Sequence, residues 1–176
     1  AWVSLNGNLA LTEVSSVAYD VLNDIVFVGT QDVGNQVQAA PDSGVWNTVS
    51  KGDGNVQGVG IIRNANGDPV FVLRYFVGNN LKNLQLQVFD LNNTLLSWTA
   101  PTLRKPGAGA EDYSAILKSE TEGFNEIPLA VNAIDPNRIL LGGTERLYES
   151  PDRGVTAENV KPAAIQTGPS ALAYGG

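Results

Sequence analysis

The sequence predicts an all-β fold of short antiparallel strands, and three observations predict it. Apolar runs rich in Val, Ile, Leu and aromatic residues recur from one end of the chain to the other, each bounded by Gly, Asn, Asp or Pro. The composition, with 19 Gly, 9 Pro, 16% charged and 43% hydrophobic residues, is that of a turn-rich globular domain and excludes both a disordered chain and a coiled coil. No segment of helical period competes with the strand-sized runs, which stop far short of the roughly 20 residues of a membrane helix. At 176 residues the chain is one domain or a piece of one, long enough to bury a core.

Taken in order, the predicted strands are 16–20, 24–29, 36–40 and 45–49, then 56–62, 69–77, 84–90 and 95–99, then 129–135, 138–143 and 147–149. Each is a β-branched or aromatic run between turn residues. Residues 1–10 read as one more strand. The stretch 101–127 reads as a long connection, and connections of that length inside compact domains are often functional. Within it, residues 111–122 place Tyr113, Ile116 and Leu117 on one helical face, but Gly107, Gly109 and Gly123 flank them. We read it as an insertion loop with a single turn.

Internal repetition is the most informative feature. Ser16-Val17-Ala18-Tyr19-Asp20, the run 24–30 and Ala40-Pro41-Asp42-Ser43-Gly44-Val45 line up with Val131-Asn132-Ala133-Ile134-Asp135, the run 138–144 and Ser150-Pro151-Asp152-Arg153-Gly154-Val155. Order and spacing are kept. The copies lie two units of about 55 residues apart, and residues 56–103 supply a divergent unit between them. Four short strands per repeat is the arithmetic of a β-propeller blade, a four-stranded antiparallel meander set radially about an axis. The expectation is a partial propeller over residues 1–176. Residues 1–10 form the last strand of a preceding blade, 15–51 a blade, 56–103 a second, 104–127 an insertion loop, 128–165 a third, and 170–176 the first strand of a next. Three blades and a fraction do not close a ring, which takes about four to eight, so the remaining blades of a longer chain or other copies of this one are expected to complete it, the alternative being a β-sandwich-like open assembly.

The segment Ser150-Pro151-Asp152-Arg153-Gly154-Val155-Thr156 resembles the Asp box, S-x-D-x-G-x-T-W, of the BNR (sialidase-like and sortilin-like) propellers. Ala40-Pro41-Asp42-Ser43-Gly44-Val45-Trp46 resembles a degenerate second copy. The pattern departs at Ala157, where Trp is expected, and at Ala40, where Ser is expected; the middle unit has no box. Trp2 stands where the Trp of another box would. The resemblance implies that the box is the turn between the third and fourth strands of a blade, its Asp capping backbone donors and its Gly allowing the bend. It thus gives Asp42, Gly44, Trp46, Ser150, Asp152, Gly154 and Thr156 structural roles. It also implies that ligands meet the opposite face, built from the loops between second and third strands and between blades. On that face fall Gln31, Asp32, Asn35, Asp53, Asn55, Asn79, Asn80, Lys82, Glu145 and Arg146, whose alternative role is that of ordinary solvated turn residues.

Charge and missing residue types narrow the chemistry. The formal net charge of −7 argues against nucleic-acid and anionic-membrane partners and favours a cationic or neutral polar one, protein or glycan. The chain contains neither Cys nor His, which removes Ser-His-Asp and Cys-His triads, the usual zinc sites, haem and iron–sulfur clusters. No cofactor is expected, calcium being the one metal left open, through Asp53 in Gly52-Asp53-Gly54-Asn55 and Asp90 in Asp90-Leu91-Asn92-Asn93; neither spells a calcium loop. Asn92-Asn93-Thr94 is a formal glycosylation sequon. A start without Met, basic residues or an apolar core is expected of a chain whose signal peptide was removed or lay upstream, and the composition suits an extracellular or periplasmic bacterial protein.

A sialidase needs an arginine triad, a Tyr–Glu nucleophile pair and an Asp acid/base. Six arginines are present, Arg63, Arg74, Arg104, Arg138, Arg146 and Arg153, but the Arg-Ile-Pro segment is missing. Asp20 and Asp135 are a tempting carboxylate pair, yet their equivalence in two repeats is what a turn between first and second strands needs. The expectation is a non-catalytic interaction module; the alternative is a fragment of a carbohydrate-active glycoside hydrolase, sialidase-like or xyloglucanase-like.

Overall fold

The computed structural model describes residues 12–78, 84–107, 128–142, 147–160 and 172–174. Among them there is no helix and there are twelve strands, in three sheets of four. The first sheet is β1 (Val14–Asp20), β2 (Ile25–Thr30), β3 (Gly34–Gln38) and β4 (Trp46–Ser50). The second is β5 (Gly54–Arg63), β6 (Pro69–Gly78), β7 (Gln85–Phe89) and β8 (Leu95–Thr99). The third is β9 (Leu129–Val131), β10 (Ile139–Gly142), β11 (Leu147–Ser150) and β12 (Glu158–Asn159). Each sheet runs in chain order with antiparallel neighbours. Their first strands lie together, β1 against β5 and β5 against β9. This is the blade arrangement of a β-propeller.

The strands end where side chains offer the backbone an alternative partner. β9 stops at Val131, short of the predicted 135, because Asn132 Oδ1 accepts the amides of Ile134 and Asp135 at 2.9 and 3.0 Å and turns the chain. β3 lies two residues earlier than predicted, since Ala39 already donates to Val45 O across the following turn. β12 falls in a polar pair of residues with no apolar signal. Residues 172–174 form no strand, and the rest of 170–176, the helical candidate 111–122 and residues 1–10 lie outside the described residues.

The core lies between the second and third blades. Leu73, Tyr75, Val77, Leu84 and Leu86 pack on Leu129, Ile139, Leu141, Tyr148 and Ala157, with Leu103 joining them. Close approach of the two sheets is what Gly58 permits, because a Cβ there would meet Leu129 Cδ2 at 2.6 Å and Val131 Cγ2 at 2.7 Å. β6 reads as a continuous apolar run rather than an alternating one because both its faces are covered, residues 72–78 all being buried. β8, the outer strand of the same blade, is exposed throughout.

Candidate functional site

In an up-and-down meander, successive turns alternate ends, so the second-to-third-strand loops and the connections between blades share one end. The structure assembles that end from residues 31–34 and 51–55. Asp32, held at φ 64°, donates its amide to Asp53 Oδ1 at 2.9 Å, tying the β2–β3 loop to the link between blades. Gln31 donates its backbone amide to Glu13 O at 3.0 Å. Gln31, Asp32 and Asp53 therefore sit together at the rim, the first two exposed, beside Glu13; the local charge is acidic.

Asn35 and Asn55 are placed differently from these rim residues, Asn35 turned inward and Asn55 half-buried. Asn35 is fully buried: its Nδ2 donates to Ser50 Oγ at 2.7 Å and Val77 O at 3.3 Å, and its Oδ1 accepts from Gln57 Nε2 at 2.5 Å. Asn55 Oδ1 accepts its neighbour's amide, and Asn55 O accepts from Gln57 Nε2 at 2.9 Å. Asn35 fastens the first blade to the second, while the Asn55 bonds stay within β5. Gln57 Oε1 is the one buried side-chain polar atom without a partner among the described residues. Asn79, Asn80, Lys82, Glu145 and Arg146 lie outside the described residues.

At the opposite end the box 150–156 is a densely bonded turn. Ser150 Oγ accepts the Gly154 amide at 2.7 Å and donates to Asp152 Oδ1 at 3.0 Å. Asp152 in turn accepts the Thr156 amide and hydroxyl, both at 2.7 Å. Arg153 and Gly154 take φ of 63° and 88°, and the Arg153 amide and Nε both reach Asn137. The box at 40–46 is built differently. Positive φ falls on Asp42, not on Gly44, and the Asp42 side chain is exposed; Ser43 closes the turn by donating its amide to Ala40 O and accepting the Val45 amide at its Oγ. The expectation that Asp42 caps and Gly44 bends is corrected there: without the leading serine hydroxyl the turn finds another solution. Trp46 opens β4, paired with Gln38 and 41% exposed. The middle blade, which lacks a box, uses Asp90, whose Oδ1 accepts the Asn92 and Thr94 amides at 2.9 and 2.8 Å. These bonds hold its carboxyl below the usual carboxylate range.

The clamp between first and second blades was not assigned from sequence. Arg74, 2% exposed, donates from Nε and Nη2 to Asp20 Oδ2 at 3.0 and 2.5 Å and from Nη2 to Asn93 Oδ1 at 2.7 Å. Its guanidinium lies 3.9 Å from the Phe89 ring centroid and 5.9 Å from that of Phe27. Burial pulls the Arg74 pKa below the usual arginine range, and Asp20 pushes it back up. Asp20, fully buried, also accepts the Leu22 and Asn23 amides and Asn23 Nδ2. The signal was available: Arg74 is the lone charge inside the apolar run of β6, and such a charge needs a partner. An Asp20 so enclosed is unsuited to meet a sugar, which weakens the carboxylate pair with Asp135; the latter accepts from the Asn137 amide and side chain.

A shallow groove of about 360 Å³ runs between the outer strands of the second blade and the box turn of the third, lined by Leu86, Val88, Ser97, Pro101 and Val155 among others. Among the described residues no group of three or more Asp, Glu, His or Cys could hold a metal ion. No helix there is long and apolar enough to cross a membrane.

No protein-family profile matches the sequence. The chain is similar over 48 residues, at 42% identity, to the glycine cleavage system H protein of Acinetobacter baumannii, in strains AYE and ACICU among others. That stretch is 27% of this chain and spans 39% of the length of the relatives it matches. So partial a likeness carries no argument about the function of this chain.

Proposed function

We propose that the chain is a non-catalytic propeller module of the BNR type that binds a protein or glycan through the end carrying the β2–β3 loop and the links between blades. One observation carries the reading: the two connections of that end are tied together by the Asp32–Asp53 bond while Gln31 and the Asp32 carboxylate stay exposed. A pre-formed rim of this kind loses little conformational freedom on binding. Its acidic character favours a cationic or neutral polar partner over a phosphate-bearing one. An extracellular or periplasmic bacterial location belongs to the same proposal.

The test is a screen of glycans and basic peptides against the chain and its Gln31→Ala/Asp32→Ala variant. Binding that the variant loses at unchanged fold, read by circular dichroism, supports the reading; binding that the variant retains overturns the choice of face. Hydrolysis of a fluorogenic sialoside or of xyloglucan would overturn the non-catalytic part and favour the glycosidase alternative.

A further inference from the structure

Each blade of this chain covers one face of the next, and the pattern leaves one covered type of face open. In the second blade, the side-chain row Val59, Arg74, Gln87 and Trp98 runs across the four strands. It belongs to the face that receives Phe27 and Asp20 of the first blade: Phe76 on that face meets Phe27 with ring centroids 5.3 Å apart. The corresponding row of the first blade is Tyr19, Val26, Gln38 and Trp46, with the same Gln–Trp cross-strand pair. Val17 and Val28 stand opposite each other on the same face. Val17 is 63% exposed and Tyr19 49%, whereas Gln57 and Phe76, which take the places of Val17 and Val28 in the second blade, are buried under the first; the outer tryptophans Trp46 and Trp98 are exposed in both blades. The row carries no charge of its own, and the nearest one, Asp24, accepts from the Tyr19 hydroxyl at 2.6 Å.

The third blade carries the complementary face. The third blade turns Leu129, Ile139 and Leu141 toward the second and leaves Ala130, Leu140 and Glu149 on its far side. All three are half-buried, and Glu149 is neutralised by Arg138 at 2.5 Å and hydrogen-bonded by Tyr174 at 3.2 Å. We propose that the open face of the first blade is the seat for the far side of the third blade of a second copy of this chain. The contact continues the blade-on-blade packing already made twice within the chain. Among the described residues each copy has one face of each kind, so the contact is reciprocal about a two-fold axis, and twice the three described blades is six, within the four to eight that rings contain. The proposal rests on the blade packing and not on the ligand reading above.

The chain has no cysteine, so introduced thiols report single contacts. Light scattering after size exclusion should give twice 18.6 kDa for the unmodified chain. Val17→Glu should cut the dimer fraction at least tenfold, with the circular dichroism spectrum unchanged, while Gln31→Ala/Asp32→Ala leaves the mass alone. Differently tagged Val17→Cys and Leu140→Cys chains, mixed and oxidised, should cross-link to each other. A single-copy mass at about 100 µM overturns the proposal, and so does cross-linking of Val17→Cys chains to one another, which means first blades meeting face to face. Protection of Val17→Cys from iodoacetamide in a monomer also overturns it, because the chain's own residues then cover the face.

Discussion

Replacing Arg74 by Met tests whether the first two blades are clamped by a buried charge pair. The substitution keeps a long apolar stem beside Phe27 and Phe89 and removes the cation. Asp20, fully buried, would keep its bonds from the Leu22 and Asn23 amides and Asn23 Nδ2 but lose both bonds from the guanidinium. Breaking a buried pair by removing one partner costs about 3–5 kcal/mol, because the remaining charge stays desolvated. Loss of the cation held 3.9 Å from the Phe89 centroid adds about 1–2 kcal/mol. The turn amides around Asp20 and the new methionine contacts offset part of this, leaving a net loss of about 4 kcal/mol, a large share of the 5–15 kcal/mol by which domains are stable. The assay is urea unfolding followed by tryptophan fluorescence and circular dichroism, for Arg74→Met, Asp20→Asn and the double variant. Asn keeps the acceptor that the turn needs and drops the charge, so the double variant should lose at least about 2 kcal/mol less than the two singles together. A cost below about 1 kcal/mol for Arg74→Met, or additivity within about 0.5 kcal/mol, would refute the clamp.

The two boxes should respond differently: Asp152→Ala removes two bonds to Thr156 and should cost about 2–4 kcal/mol, whereas Asp42→Ala should stay within about 0.5 kcal/mol in the same urea assay. Gly29→Ala should abolish folding or nearly so, because its Cβ would overlap the Asn55 carbonyl oxygen; Gly58→Ala, which presses on the side chains of Leu129 and Val131, should cost about 1–3 kcal/mol and leave a folded protein. Burial raises the Tyr75 phenol well above its ordinary value, and burial with Glu149 does the same for Tyr174. A phenol whose folded pKa is raised binds its proton more tightly in the native state, so its contribution is fully present below pH of about 10 and is lost as pH rises beyond. Absorbance titration near 295 nm should therefore show these two tyrosines ionising together with alkaline unfolding; their ionisation in the folded protein would count against the packing described.

How much was legible in the sequence differs between fold and site. The strands of the first two blades sat within one or two residues of where period and turn residues placed them, since short apolar runs between Asn, Asp and Gly leave the backbone few other choices. The short β9 and β12 were not readable, because an Asx turn at Asn132 ends one and sheet pairing alone creates the other. Among the candidate ligand residues, Gln31, Asp32 and Asp53 do meet at one rim, while Asn35, equally polar and just past the loop in β3, turns inward to bond Ser50 and Gln57. Sequence spacing carries no information about that choice.

The amino-acid sequence by itself determined the all-β class, the fourfold strand count per repeat and the location of the turns, because these depend on local period and on the φ preferences of a few residues. The tertiary structure alone decided which polar residues face a neighbouring blade. Arg74 and Asp20 lie 54 positions apart and Gln57 and Asn35 lie 22 apart, and each pair exists because two sheets stack. Whether a polar side chain is a solvated rim group or a buried fastener depends on what the adjacent blade puts against it, and that is a property of packing over distances that no local pattern records.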